Sequence, residues 1–320
     1  MMRDVNSKGI SFWGQLGTLI GLTGGGVIAG SVLSYLIWMM MTGHALPLNA
    51  DEILQPKYYK EDMVIQVIST FFIFFLPAYF FALICYRRPL NFLGFNFRIN
   101  YKQVLLVILI LVATFPLAGA LAELNKVLPI SQHLKDYFKK QETAREIQEA
   151  ALIQLHTLPQ YLVSLIVIAF LPALFEETYF RAGLQNLLIR WLKGPWVAII
   201  LTAIIFSLIH LSYYGFIVRF ALGILLGAVY YYSGSLWLNV LFHFLFNGVQ
   251  VTALYFAGTK RDVAHADIET AFPWWLGVVA LAATVYLVNK FIEVSRKKLA
   301  AYPSEEVPRD DFENWVGEIS

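Results

Sequence analysis

Two adjacent carboxylates and an arginine break a long apolar run: Glu176, Glu177 and Arg181 in the stretch LPALFEETYFR at 171–181. Ionisable side chains at membrane depth are costly, and by default they mark function. Two later apolar segments each deliver a histidine. His210 ends FSLIH at 206–210, and His243 is followed four residues on by Asn247 in HFLFN at 243–247. On a helix Glu177 and Arg181 stack on one face and can pair, while Glu176 points about 100° away. Two carboxylates in different environments can titrate apart, which is what a general base beside a fixed counter-charge needs. The competing reading is that this helix simply ends in the cytoplasm and its charges are solvated.

Two hydrolytic mechanisms fit these residues. In one, Glu176, helped by His210, takes a proton from water that attacks a peptide carbonyl, and His243 with Asn247 donates hydrogen bonds to the oxyanion. In the other, Glu176, His210 and His243 bind zinc, which activates the water and polarises the carbonyl. Asn247 is a poor zinc ligand and a good oxyanion donor, which favours the first. There is no His-Glu-x-x-His, no Gly-x-Ser-x-Gly and no Cys-His signature. No cofactor is read with certainty, zinc being the one the residues could accept.

The elements that must carry these groups are hydrophobic helices. With 58% hydrophobic and 14% charged residues and a mean hydropathy of +0.61, the 320-residue chain is far from a soluble composition. Apolar segments at about 14–41, 63–86, 103–124, 159–180, 196–212, 215–232, 236–257 and 273–292 are each near the ~20 residues of a membrane-crossing helix. The fold class is therefore an all-α polytopic membrane protein of about eight transmembrane helices in a bundle. The fifth and sixth segments are short and joined only by Ser212 to Tyr214. Counting from Trp196 puts His210 about 21 Å from the inner face, against about 10 Å for His243 counted from Leu236, so the groups meet only if helices tilt or are offset.

Gly21, Gly24, Gly25, Gly26 and Gly30 give the first segment a small-residue packing face. The single cysteine, Cys85, lies in an apolar run and reads as a buried, inert thiol. The cations Arg87-Arg88 and Arg296-Lys297-Lys298 place both termini in the cytoplasm. On that orientation Arg181, Arg190 and Lys193 also fall on the inner side, and Arg219 is left within the sixth helix. The domain division is a membrane-embedded unit over 1–302, with a catalytic core at 159–250, an extracytoplasmic loop at 125–158 and a flexible acidic tail at 303–320. Alternation of charge with Leu134, Tyr137, Phe138, Ile147, Ala151 and Leu155 makes that loop an amphipathic helix on the outer face. A net charge of +2 without a basic stripe excludes a nucleic-acid partner. The partners are the lipid bilayer and a membrane-associated peptide or protein, the location is the cell (inner) membrane, and oligomeric state is not legible.

Taken in order, EETYFR, FSLIH and HFLFN resemble the motifs of the CPBP intramembrane proteases, the group of the type II CAAX prenyl endopeptidase and of bacteriocin-processing or immunity proteins. LGILLGAVYYYSGSLW at 222–237 is similar to the Gly-x-x-x-Gly stretch that precedes the last motif. The resemblance implies an eight-helix bundle with a cavity reached from the cytoplasm or the bilayer. It implies that Glu176 activates water with His210, that Glu177 and Arg181 support the site, and that His243 and Asn247 form the oxyanion hole. Members are commonly named metalloproteases, and a metal-independent glutamate mechanism is also proposed for the fold. The rival functions are a non-catalytic peptide-binding, immunity or scaffold protein and, more weakly, a proton-coupled transporter, which lacks the internal repeat expected of one.

Overall fold

The computed structural model describes residues 7–45, 56–127, 129–153, 157–259 and 273–300. The acidic tail at 303–320, Leu155, and the cations Arg3, Lys260, Arg261 and Arg309 lie outside them, as do the side chains of Ile147 and Ala151. Helices follow in the order α1 (Phe12–Thr42), α2 (Tyr59–Cys85), α3 (Tyr101–Val127), α4 (Gln132–Ile153), α5 (Leu158–Leu192), α6 (Pro195–Ile209), α7 (Phe216–Ser233), α8 (Leu236–Thr259) and α9 (Trp274–Ala300). Seven of them, all but α4 and α6, are long and apolar enough to cross a membrane. The remaining expected crossing is α6, with 15 residues. At 1.5 Å per residue it measures about 22 Å, short of the ~30 Å hydrocarbon core.

Local chemistry sets the ends. Ser11 caps α1 by accepting from Gly14 N, and Gly43 closes it in the left-handed conformation at φ 73°. Thr157 and Gln160 form a reciprocal capping box at the start of α5. Lys193 at φ 52° stops α5, and Gly194 and Pro195 start α6. Two membrane helices change their winding just before a proline. In α2 the turn Phe71–Phe75 is a π-helix ahead of Pro77, and in α5 the turn Leu165–Phe170 is a π-helix ahead of Pro172. A proline inside a helix lacks an N–H and its ring presses on the carbonyl four residues back, so the wider turn relieves that clash. Thr178–Gln185 in α5 is a third π-helix, and it contains Arg181.

The expectation that the fourth segment ends near 180 is corrected. It continues to Leu192, so Glu176, Glu177 and Arg181 sit mid-helix. Glu177 and Arg181 are fully buried, which removes both the solvated-terminus reading and the placing of Arg181 among the inner-side cations. α3 likewise runs to Val127, so Asn125 belongs to a helix rather than to the loop. The glycine face of α1 is narrower than expected. A side chain at Gly26 would overlap the Phe72 carbonyl in the α2 π-turn, and one at Gly30 would meet Phe72 Cβ at 3.0 Å. Gly21, Gly24 and Gly25 face open space. Ser34 and Ser69 continue the contact with hydroxyls 3.2 Å apart.

The depth problem has a structural answer. The turn before α8 is largely covered: Ser233, Ser235 and Leu236 are buried under residues 93–97. Leu236 N donates to Gly94 O at 3.0 Å, Asn96 Nδ2 to Gly234 O at 2.8 Å, and Ser235 Oγ to Asn96 O at 2.9 Å. α8 therefore starts inside the bundle, and counting depth from Leu236 places His243 too shallow. Two apolar clusters flank it. Leu236 and Val240 join one with Phe81, Tyr86, Leu187 and Ile199, whereas Leu238 and Phe242 join another with Ile110, Leu226 and Phe291.

At the other end Asn125 fixes the α6–α7 connection, donating to Tyr213 O at 2.7 Å and accepting from Ile217 N at 3.0 Å. Phe138 of α4 stacks on Tyr213 at 5.5 Å, while Leu134 and Tyr137 on the same helix are exposed. Cys85 is buried and free.

Introducing Gly26→Leu is expected to lower the thermal midpoint in detergent, with a cost of about 1–3 kcal/mol for overpacking α1 against α2. Gly21→Leu, in open space, should leave the midpoint unchanged; equal losses in both would show that the packing face is wider than Gly26 and Gly30.

Candidate active site

α5 supplies the acidic half of the site and α8 the histidine-bearing half. Asn239, His243 and Asn247 recur every four residues and so share one face of α8. Glu177 is the centre. Its Oε2 lies 3.2 Å from Arg181 Nε and accepts from Asn239 Nδ2 at 3.1 Å, and its Oε1 is 2.9 Å from His243 Nδ1. No part of the Glu177 side chain is exposed, against 12% for Glu176. Arg181 lies with its guanidinium carbon 4.6 Å from the centre of the Phe206 ring, a cation–π contact in a dry setting. Its terminal nitrogens Nη1 and Nη2 have no hydrogen-bond partner among the described residues.

Glu176 is placed differently. Its Oε2 is 3.9 Å from His243 Nε2, too long for a hydrogen bond, so the histidine ring stands between the two carboxylates. His210, half-buried at the end of α6, has Nδ1 2.7 Å from Phe206 O. A carbonyl can only accept, so Nδ1 carries the proton and Nε2 of the neutral ring is left as an acceptor. Phe206 packs edge-on to both histidines, with centroids at 4.9 Å from His210 and 6.1 Å from His243. Asn247, half-buried, follows His243 by one turn.

α6 and α7 are held tightly enough to fix His210. A side chain at Gly223 would meet Ala203 Cα at 3.0 Å, and one at Gly227 would meet Gln185 Oε1 at 2.7 Å and Ile199 Cγ2 at 2.8 Å. Gln185 in turn donates from Nε2 to Gly227 O at 3.0 Å. The Gly-x-x-x-Gly stretch thus serves the close approach of α7 to α6 and α5.

Among the described residues no three His, Cys, Asp or Glu side chains converge closely enough to hold a metal ion. Glu176, His210 and His243 thus do not fit as a preformed ligand set, and no step below is routed through zinc. Asn239 was not singled out in the sequence, although its position one turn before His243 on the same apolar helix is a signal that could have found it.

Removing the Glu177 carboxylate would leave Arg181 charged and buried, so Glu177→Ala is expected to destabilise the protein by about 3–5 kcal/mol. The double variant Glu177→Leu, Arg181→Met should recover the lost thermal midpoint. If Glu177→Ala melts like the wild type, the ion pair is not a structural constraint.

Residues 158–249 match the family model described as Type II CAAX prenyl endopeptidase Rce1-like. Among curated proteins and solved structures nothing matches the chain. The matched segment begins with α5 and ends two residues after Asn247, so it holds every polar group of the site just described. Residues 158–249 thus resemble the type II CAAX prenyl endopeptidase Rce1-like family, within a multi-pass membrane protein.

Proposed function

We propose that this protein is an intramembrane endopeptidase that cleaves a membrane-associated, CAAX-like substrate with water activated by Glu176. The observation that carries the reading is the unequal environment of the two glutamates. Both oxygens of Glu177 are engaged within 3.2 Å by Arg181, Asn239 and His243, whereas among the described residues Glu176 has no ion-pair partner closer than 3.9 Å and keeps partial exposure. Only Glu176 is free to exchange a proton with water.

The chemistry follows from that division of labour. A water beside Glu176 Oε2 gives it a proton, with the acceptor Nε2 of His210 orienting the water. The water oxygen bonds to the carbonyl carbon, and the carbonyl π electrons move onto oxygen. The Asn247 amide stabilises this oxyanion, and His243 adds a donor at Nε2 whenever its ring carries both protons, since Nδ1 already serves Glu177. Collapse of the tetrahedral species breaks the C–N bond, and the leaving amine takes the proton from Glu176. The intramembrane setting favours a substrate tethered in the bilayer with its scissile bond at the depth of α5 residue 176. The pair Arg87-Arg88 just after α2 and the triplet Arg296-Lys297-Lys298 at the end of α9 support cytoplasmic termini.

The test is cleavage of a quenched fluorescent peptide library by purified protein in detergent, for wild type, Glu176→Gln and Asn247→Ala, each with and without a zinc chelator. Glu176→Gln is expected to lower kcat by about 10²–10⁴, and Asn247→Ala by about 10²–10³, with chelator without effect. Loss of cleavage with chelator and its return on adding zinc would replace this mechanism with a metal-dependent one. Wild-type cleavage that persists in Glu176→Gln would sink the glutamate as base, and absence of cleavage in every sample would favour a binding scaffold.

A further inference from the structure

Asn239 is wholly buried, and its two amide hydrogens are both committed. One goes to Glu177 Oε2 at 3.1 Å and the other to Leu226 O of α7 at 2.7 Å. Both neighbours are pure acceptors, so the amide orientation is fixed: Nδ2 faces them and Oδ1 faces away. Oδ1 has no hydrogen-bond partner among the described residues. An orphaned buried acceptor is a liability, and a smaller apolar residue would avoid it. A side chain needed only to bind α8 to α7 could do so without touching Glu177. Here the same nitrogen spans the α7 backbone and the carboxylate, and that carboxylate's other oxygen holds His243 Nδ1 at 2.9 Å.

We propose that Asn239 is a positioning residue of the active site: by tying Glu177 to the α7 backbone it fixes the carboxylate that holds His243 Nδ1, and so aims His243 Nε2 toward Glu176. The inference rests on the endopeptidase reading for its catalytic consequence. Without Asn239, Glu177 keeps Arg181 and His243 as partners but can swing about its side-chain torsions. The His243 ring then loses its fixed direction, and Nε2 is no longer held beside Glu176. Substrate binding is untouched in this account, because Asn239 contacts only protein groups.

The experiment compares Asn239→Leu and the isosteric Asn239→Asp with the wild type in full-length protein, using the peptide assay together with nitrogen NMR of 15N-histidine-labelled samples. The chain has six histidines, and the His243 signals are assigned by their disappearance in His243→Gln. In Asn239→Leu we expect kcat to fall by about 10- to 100-fold with KM within about twofold, and the His243 nitrogens to shift. A carboxyl at 239 donates to Glu177 only while protonated, so the kcat of Asn239→Asp relative to wild type should rise as pH is lowered. That of Asn239→Leu should stay flat. If Asn239→Leu does not fold, Asn239→Asp, of nearly the same volume, carries the test alone.

Wild-type kcat with unmoved His243 nitrogens in folded Asn239→Leu, or at every pH in Asn239→Asp, would overturn the proposal and leave Asn239 as helix-packing glue. Moved His243 nitrogens in the Asn239 variants, combined with undiminished cleavage by Glu176→Gln, would uphold the positioning role while overturning the catalytic assignment on which its consequence depends.

Discussion

A carboxylate and a guanidinium share the dry interior of a helical bundle, and most of the site's architecture answers that fact. Taking two charges out of water costs several kcal/mol per ion, which their mutual attraction repays only with good geometry and further hydrogen bonds. Glu177 has that support on both oxygens, from Arg181, His243 and Asn239. Arg181 has less, since among the described residues the Glu177 carboxylate and the faces of Phe206 and Phe180 attend it while its terminal nitrogens find no hydrogen-bond partner. The pair ties the middle of α5 to α8 directly and to α6 through Phe206. Three of the helices that carry the polar motifs are therefore locked by one interaction, and the reactive groups inherit their relative positions from it.

The same constraint separates the two neighbouring glutamates. Successive helical residues differ by about 100° in direction, so when Glu177 turns into the arginine, Glu176 has to turn elsewhere, toward His243 Nε2 and the partly exposed side of the bundle. Identity of side chain is thus no guide to role here. A buried, fully bonded carboxylate is a structural anion, and its partly exposed neighbour is the one proposed above as the base.

Much of this was legible in the chain. Eight apolar stretches read as helices, seven of them long enough to cross a membrane, and the spacing of Glu177 with Arg181 and of His243 with Asn247 places each pair on one face. What escaped did so for identifiable reasons. Thr178, Arg181, Gln185 and Asn186 make the second half of α5 look like an exit into water, whereas Leu174 O and Glu177 within α5 absorb the first two and Gly227 of α7 and Phe92 O absorb the others. The π-turns before Pro77 and Pro172 alter the winding without altering the apolar pattern. Asn239 sits among Leu, Trp, Val and Phe and becomes meaningful only once Glu177 is seen opposite. The depth of His243 could not be counted from α8 because residues 93–97 cover its start.

The shortness of α6 has a consequence for the surrounding lipid. Its 15 residues span about 22 Å, roughly 8 Å less than a typical ~30 Å hydrocarbon core, so with Pro195 set at one boundary the shortfall falls on the His210 side. Acyl chains next to such a helix must compress, or the polar connection at 210–215 must sink toward them; both are forms of hydrophobic mismatch. Either response draws the aqueous boundary down to the end of α6. A hydrolase in a bilayer lacks one reagent above all, and a deliberately stunted helix is a way of delivering water to it without opening a pore.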